Sequence, residues 1–448
     1  MEAVTRLTNG ALVTPDARPR VLYLVYWGAA EPLGQSIVLP AVMRIESMGA
    51  AVTLITFEKP ADLARQSEME RIHSTLERHK VRWVPLRYHK RPKGPAKLLD
   101  ILQGVGVGLF ESARQRPRIV HARTFVGGVM GMLLAPFVGG KLVYHAEGFY
   151  PDEQVDGGFW TEGSLLHRAA RLVERLLYAR ADGIIVLSER AKALVERLPA
   201  VQKGRTPVIV VPSCVDLKLF STVERLPWHA GRRLRLVYVG STGGRYLFQR
   251  VAEFAAIAHR RLGRVNLRVL TRTERSSVEA VLRDSWLPPD AWSVGSVPHS
   301  GVPEELARQD VGMFLFTRGI SEHGCSPTKV GEYWAMGLPV VITPNVSDTE
   351  DIIRRERVGV LLSGFSDEAY ERALDELLAL LADSDLPKRC RAAAEEHYGL
   401  EPACERLQAL YAPLLGDRSN EHDRRAPPSA DLQRPDGSGP DRQTRSSR

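Results

Sequence analysis

Cysteine is scarce in this 448-residue sequence: Cys214, Cys325, Cys390 and Cys404 are its whole complement. None stands in a CxxC pair, which excludes a zinc cluster of the usual spacing and a disulfide framework. Reduced thiols in a cytoplasmic protein are the expectation. Long apolar runs are missing as well. No stretch reaches the roughly eighteen residues that a bilayer-spanning helix needs. Residues 125–138 come nearest, and their glycines suit a close-packed buried helix. The first twenty residues lack the apolar segment of a secretory signal. A GxGxxG fingerprint is absent, which removes the main support for a dinucleotide cofactor. The net charge is +8, compatible with an anionic ligand, an anionic membrane surface or nucleic acid. The basic residues are spread out, with no dense stripe interleaved with aromatics, so nucleic acid is the least favoured of the three.

What is present reads as globular. Apolar residues make up 44% and charged residues 25%, and the length suits two or three domains. Residues 21–26 (VLYLVY) form a continuous apolar run, the pattern of a strand covered on both faces. Further strands are read at 51–57, 81–85, 119–121, 141–145, 183–187 and 208–212. Helical stretches alternate with them at about 36–48, 61–79, 96–114, 125–138 and 165–180. A second series follows, with strands at 234–239, 266–270, 292–294, 311–315, 339–342 and 359–362. Its helices include 247–262, 277–284 and 367–381. Repeated βα units predict parallel sheets with helices on both faces. The expected layout is a flexible stretch over 1–20, a first domain over 21–221, a linker over 222–233 and a second domain over 234–386. Two closing helices, at about 387–397 and 402–415, make up 387–416. Residues 417–448, rich in Arg, Asp, Ser and Pro, are expected to be disordered.

Two such domains in tandem enclose a ligand between the C-terminal edges of their strands. The most informative segment for that ligand is residues 326–342, SPTKVGEYWAMGLPVVI. A Ser-Pro-Thr turn opens a short helix, and a helix start offers free N–H groups and a positive dipole end to an anion. Ser326, Thr328 and Lys329 are therefore candidates to hold a diphosphate. Glu332, one turn on, is placed to accept hydrogen bonds from ribose hydroxyls. The same Lys/Glu spacing also describes an ordinary solvated salt bridge.

Other segments carry chemistry. Gly34 in the loop after the first strand allows close backbone approach, and Ser36 can cap the next helix. Gly240, Ser241 and Gly243 follow the second domain's first strand as a phosphate-sized nest, with Arg245 as an anion partner. His145 and Glu147 stand two apart at the end of the 141–145 strand and face the same side if it continues. Asp152 and Glu153 follow in a loop. A basic, aromatic loop over 83–93, containing Tyr88, Lys90 and Arg91, offers a surface to an anionic acceptor or to lipid headgroups. Cys325 reads as a small packing residue.

Together and in order, these segments resemble the retaining, GT-B-fold glycosyltransferases of family 4, over about residues 21–415. Residues 31–36 (EPLGQS) occupy the first glycine-rich loop. Ala181-Asp182 with 186–188 (VLS) is similar to the pair of elements that ends the first domain. Residues 211–216 (VPSCVD) with Phe220 resemble the family's PNGVD…F element. Residues 326–341 resemble the donor-site helix and following strand, and the last helices resemble the pair that crosses back to the first domain. Three departures stand out. Gly324 occupies the place of the first glutamate of a Glu-x7-Glu pair, with Glu322 nearby, so that Glu322, Gly324 and Cys325 are the sugar-side candidates. The family's Arg-x4-Lys pair is absent, with Arg245 and Lys329 as substitutes. The family's His-Gly slot reads Glu147-Gly148, with His145 two residues earlier.

The resemblance implies a fold of two Rossmann-like doubly wound sheets with a cleft between them. It implies transfer, with retention, of a sugar from a nucleoside diphosphate sugar to a saccharide, lipid-linked or other small acceptor. No metal and no cofactor beyond the donor is expected. His145 and Glu147 would be catalytic, and Tyr88, Lys90, Arg91, Asp152 and Glu153 acceptor-side. A cytoplasmic location, with peripheral contact to the inner face of a membrane, would suit this chemistry. Two alternatives remain: a nucleotide-sugar epimerase or phosphorylase on the same fold, and a non-catalytic binding protein.

Overall fold

The computed structural model describes residues 18–31, 33–221, 228–229, 231–317 and 319–416. The 417–448 tail, nearly all of the 1–20 stretch and most of the 222–233 linker lie outside the described residues. Apolar runs covered on both faces form the strands. The first sheet contains β1 (Arg20–Val25), β2 (Ala51–Glu58), β3 (Arg82–Arg87), β4 (Ile119–Arg123), β5 (Lys141–His145), β6 (Gly183–Val186) and β7 (Val208–Val210). Their spatial order is β3-β2-β1-β4-β5-β6-β7. The second contains β8 (Leu234–Val239), β9 (Val265–Leu270), β10 (Trp292–Gly295), β11 (Val311–Phe314), β12 (Val340–Ile342) and β13 (Gly359–Leu361). Their order is β10-β9-β8-β11-β12-β13. Every ladder in both sheets is parallel. The strand order reverses direction between β1 and β4, and again between β8 and β11. At such switch points the flanking loops part and leave a crevice.

Each sheet is sandwiched by helices. Leu22, Leu24, Phe57 and Val120 pack on Met130 and Leu134 on one face of the first sheet. Tyr23, Val25 and Leu54 pack on Val42, Ile45 and Leu76 on the other. The Phe125–Val138 helix lies tight on its strands. A Cβ on Gly131 would come within 2.5 Å of the Ala122 Cβ, and one on Gly128 within 2.6 Å of the Tyr144 ring. Its outer side is open, however: Leu133 and Phe137 are exposed, so only the inward half is the buried helix its composition suggests.

The closing helices, Leu386–Tyr398 and Leu400–Gly416, divide their allegiance. Leu386, Cys390, Ala393, Ala394 and Tyr398 belong to the second sheet's core. Leu407, Leu410 and Tyr411 belong to the first sheet's core. Burying each of those two leucines is worth roughly 1.5–3 kcal/mol, so the last helix is held firmly to the first domain.

Several local expectations are corrected. The helix read over 61–79 is two helices, Pro60–Leu63 and Gln66–Arg78, broken at Arg65 with φ −88° and ψ 73°. The β3 strand starts one residue later than read and runs on to Arg87, and β4 runs on to Arg123. The first part of the 83–93 "loop", as far as Arg87, is therefore strand. Ser36 does not cap a helix: it lies inside a π-helical turn, Gly34–Val38, whose start has no side-chain cap. Asp152 and Glu153 sit in the first turn of a helix, Tyr150–Asp156.

Candidate active site

The C-terminal edges of the two sheets face one another. On the first domain, the loop after β1 is shaped by Glu58 at the end of β2. This buried carboxylate accepts hydrogen bonds from the Ala29 and Ala30 N–H groups at 2.7 and 3.3 Å and from the Thr56 hydroxyl at 2.6 Å. Gly34 is the residue that lets this loop fold on itself. A Cβ there would lie 2.0 Å from the Gly28 carbonyl oxygen, so its close approach is to its own backbone.

Deeper in the same edge lies a chain of buried polar groups. Arg123, at the end of β4, ion-pairs with Glu147 and donates to the Tyr23 hydroxyl at 3.3 Å. His145 Nε2 is 3.7 Å from Glu147 Oε1. His145 Nδ1 is 3.2 Å from His121 Nε2, and His121 Nδ1 is 2.7 Å from the Tyr411 hydroxyl on the last helix. Burial, followed by the nearby Arg123 charge, holds both imidazoles far below their usual range, so both are neutral at pH 7. Glu147 reaches the surface of a pocket of about 370 Å³ whose walls include Tyr26, Tyr88, Thr124, Tyr150 and Glu153. His145 sits behind it. Thr124, which caps the Phe125–Val138 helix through the Gly127 N–H at 3.2 Å, has φ +72°. That is strained for a β-branched residue, and such strain concentrates at sites of function.

On the second domain, Gly240 has φ +149°, a conformation natural to glycine, and it turns the chain out of β8 towards Arg245. The guanidinium of Arg245 donates to the Ser321 hydroxyl at 2.7 Å. It lies 3.8 Å from Glu322 and, across the cleft, 3.5 Å from Glu153. The fully buried Glu322 also accepts from the Thr317 hydroxyl at 3.0 Å. Burial raises the Glu153 carboxyl to about 7, with Arg245 opposing the rise and Glu147 and Glu322 adding to it. Gly324 is a point of close backbone approach between the domains: a Cβ there would come within 3.0 Å of the Gly148 Cα. The Cys325 thiol is pushed up to about 12 by burial and is no nucleophile.

The helix after the Ser-Pro-Thr turn spans Thr328–Ala335. Ser326 Oγ accepts from the Ser213 N–H of the first domain at 3.0 Å. Lys329 Nζ donates to both oxygens of Glu332, at 3.0 and 2.8 Å. Glu332 is 1% exposed, so this is no solvated surface pair. Thr328 and Glu332 line a cavity of about 430 Å³ between the domains, opposite Gln35 and Ser36 and beside His299.

The sequence-derived candidates therefore fall into groups. Thr328 and Glu332 meet in the 430 Å³ cavity, with Lys329 bonded to Glu332. Glu147, Glu153 and Tyr88 meet in the 370 Å³ pocket. Arg245 joins Glu153 to Glu322. Asp152 instead pairs with Arg171 at 3.1 Å and anchors its helix. Lys90 and Arg91 are exposed and do not line the pocket beside Tyr88. Ser241 is exposed on the glycine turn. Sequence reasoning missed Arg123, His121, Gln35 and His299. Only Arg123 had a signal, an arginine directly at the C-terminal edge of a parallel strand, hidden because that strand was read as ending at His121.

Comparison with known proteins places this geometry. Residues 34–214 match the family model of the glycosyl transferase 4-like domain, and residues 233–380 that of glycosyl transferases group 1. No curated protein matches the sequence. Among solved structures, sucrose-phosphate synthase from Thermosynechococcus elongatus aligns with TM-score 0.64 at 15% identity, covering 89% of this chain and 99% of that one. A glycosyltransferase from Rickettsia africae aligns with TM-score 0.63 at 11% identity, covering 90% and 100%. Anabaena HepE in complex with UDP-glucose aligns with TM-score 0.61 at 13% identity, covering 88% and 99%. At such identities the likeness shows the fold. With two family models matched in tandem over most of its length, the chain belongs to the GT-B glycosyltransferases, with a glycosyl transferase 4-like first domain and a group 1 second domain.

Proposed function

We propose that this glycosyltransferase moves a sugar, with retention of anomeric configuration, from a nucleoside diphosphate sugar to a hydroxyl of a saccharide or lipid-linked acceptor. The observation that carries the reading is the 430 Å³ inter-domain cavity, where Thr328 and Glu332 of the second domain face Gln35 and Ser36 of the first. In this reading the nucleoside lies there, with its ribose hydroxyls on Glu332. The diphosphate lies at the start of the Thr328–Ala335 helix, within reach of Lys329 and Arg245. These cations and the first-turn N–H groups stabilise the charge that develops on the leaving diphosphate, a contribution that often dominates catalysis. The acceptor occupies the 370 Å³ pocket, with Glu147 held by Arg123 at its inner wall. These cations and N–H groups are the partners assigned to the diphosphate, and no metal is assigned a role.

A panel of UDP-, GDP- and ADP-sugars tests the reading. One nucleotide series should raise the melting temperature in proportion to the logarithm of ligand concentration. Lys329→Ala should lower turnover by orders of magnitude while the unliganded protein still melts cooperatively, at a lower temperature because buried Glu332 loses its partner. Full activity in that variant would remove Lys329 from the site. Conversion of the donor's sugar with no acceptor present would replace transfer by epimerisation.

A further inference from the structure

We infer that the outer face of three neighbouring helices on the first domain docks on an anionic lipid bilayer. The helices are Lys93–Gln115, Phe125–Val138 and Leu165–Arg180, which pack side by side on the sheet. The outward positions of the first, from Leu98 to Ala113, run Leu98, Leu99, Leu102, Gly106, Leu109, Phe110 and Ala113. No charged or polar side chain interrupts them over about four turns. The second helix has no charged residue at all, and Phe137 on its outer side is 78% exposed. The third adds Leu165, 85% exposed, with Leu166 and Leu172. Scattered exposed leucines need no explanation, but an unbroken apolar stripe of about four turns, with further exposed apolar side chains on the two helices beside it, marks an interaction site.

The charges around this surface choose the partner. Arg168, Arg175 and Arg180 are exposed on the third helix, and Lys90, Arg91, Arg114 and Arg116 at the two ends of the first. The acids of these helices point elsewhere. Asp100 is buried against His89 and Tyr26, Glu111 pairs with Arg82, and Glu174 pairs with Arg171. At the rim, Glu162 is exposed and Asp182 is paired with Lys141. An apolar face with a cationic border fits the acyl boundary and headgroups of an anionic leaflet. A second copy related by a two-fold axis would set this cationic border against itself. Lipid contact expected at the 83–93 segment thus moves to the helices. That segment is strand as far as Arg87, His89 is tied to Asp100 at 2.6 Å, and only its end, Lys90 and Arg91, joins the border. Among the described residues no helix is long and apolar enough to cross a membrane.

Lys97 and Phe125, at the N-terminal ends of the first two helices, also line the 370 Å³ pocket. The docked face would therefore bring that pocket to the leaflet surface, where a hydroxyl on a lipid-linked acceptor is presented. This consequence rests on the proposed function; the docking does not.

Co-sedimentation with vesicles tests the surface. Wild type should bind phosphatidylcholine vesicles containing about a third phosphatidylglycerol at least tenfold better than pure phosphatidylcholine, and lose most of that binding in high salt. Leu102→Glu with Phe137→Glu should reduce binding at least tenfold, as should Arg168→Glu with Arg175→Glu, with unchanged melting curves and nucleotide affinity. Several results would overturn the docking: equal binding to both vesicles, no binding, or binding undiminished in both variants. So would a concentration-dependent dimer, in sedimentation velocity, that Leu102→Glu with Phe137→Glu dissolves. If the wild type binds vesicles but no nucleoside diphosphate, the docking stands and the transferase reading fails.

Discussion

Glu174 shows how a single carboxylate can report on the core beneath the active site. It is buried between the Tyr150–Asp156 and Leu165–Arg180 helices, 3.3 Å from Arg171. Burial raises its carboxyl to about 7, with Arg171 opposing the rise and Asp152 adding to it. The unfolded chain gives up this proton near pH 4.5, whereas the folded protein keeps it until about pH 7. Between those values the folded state binds more protons, so stability falls as pH rises across the window. Glu174→Gln removes the titration. It should leave the melting temperature unchanged near pH 4.5 and raise it by a few degrees at pH 8; a variant that melts lower at pH 8 would show that the ion pair with Arg171 outweighs desolvation. Residue neighbours were legible in the sequence where a motif fixed the spacing, as for Lys329 and Glu332, which meet on one helical face. They were not legible where partners come from distant segments. Arg123 with Glu147, and Arg245 with Glu153, are each joined only once the strands are in register.

At the scale of elements, the strands could be read because parallel strands covered on both faces appear as unbroken apolar runs. Their ends could not, because the last residues at a sheet's C-terminal edge are polar and belong to the site. The π-helical turn at Gly34–Val38 left no sequence signal, since it is imposed by the loop packed against Gly34. That packing yields a test. In Gly34→Ala the new methyl would sit 2.0 Å from the Gly28 carbonyl oxygen, backbone that cannot swing aside as a side chain does. The loop must shift and carry Gln35 and Ser36 with it. We expect a destabilisation of about 1–3 kcal/mol, read by denaturant melts, and at least a tenfold rise in the KM for the donor. Unchanged KM would show that the loop does not touch the donor.

The whole molecule works as two sheets held edge to edge. The last helix is rooted in the first domain through Leu407, Leu410 and Tyr411. Asp348 of the second domain accepts the Glu189 and Arg190 N–H groups of the first at 2.7 and 3.1 Å. Sequence alternation sufficed for the two-domain fold, because each βα unit follows right-handed crossover rules that leave few topologies. The cleft's contacts could not be read, because Gly148 against Gly324 and Arg245 against Glu153 depend on how the domains meet. On the proposed function, a nucleoside diphosphate binds in that cleft through its diphosphate and ribose. Calorimetric titration of wild type and of Arg245→Ala with Lys329→Ala, using UDP, GDP and ADP and the matching nucleosides, tests it most directly. One diphosphate should bind at least a hundredfold more tightly than its nucleoside, and the double variant should lose most of this difference. A chain that binds none of the three, or a double variant that binds the diphosphate as tightly as wild type, would contradict it.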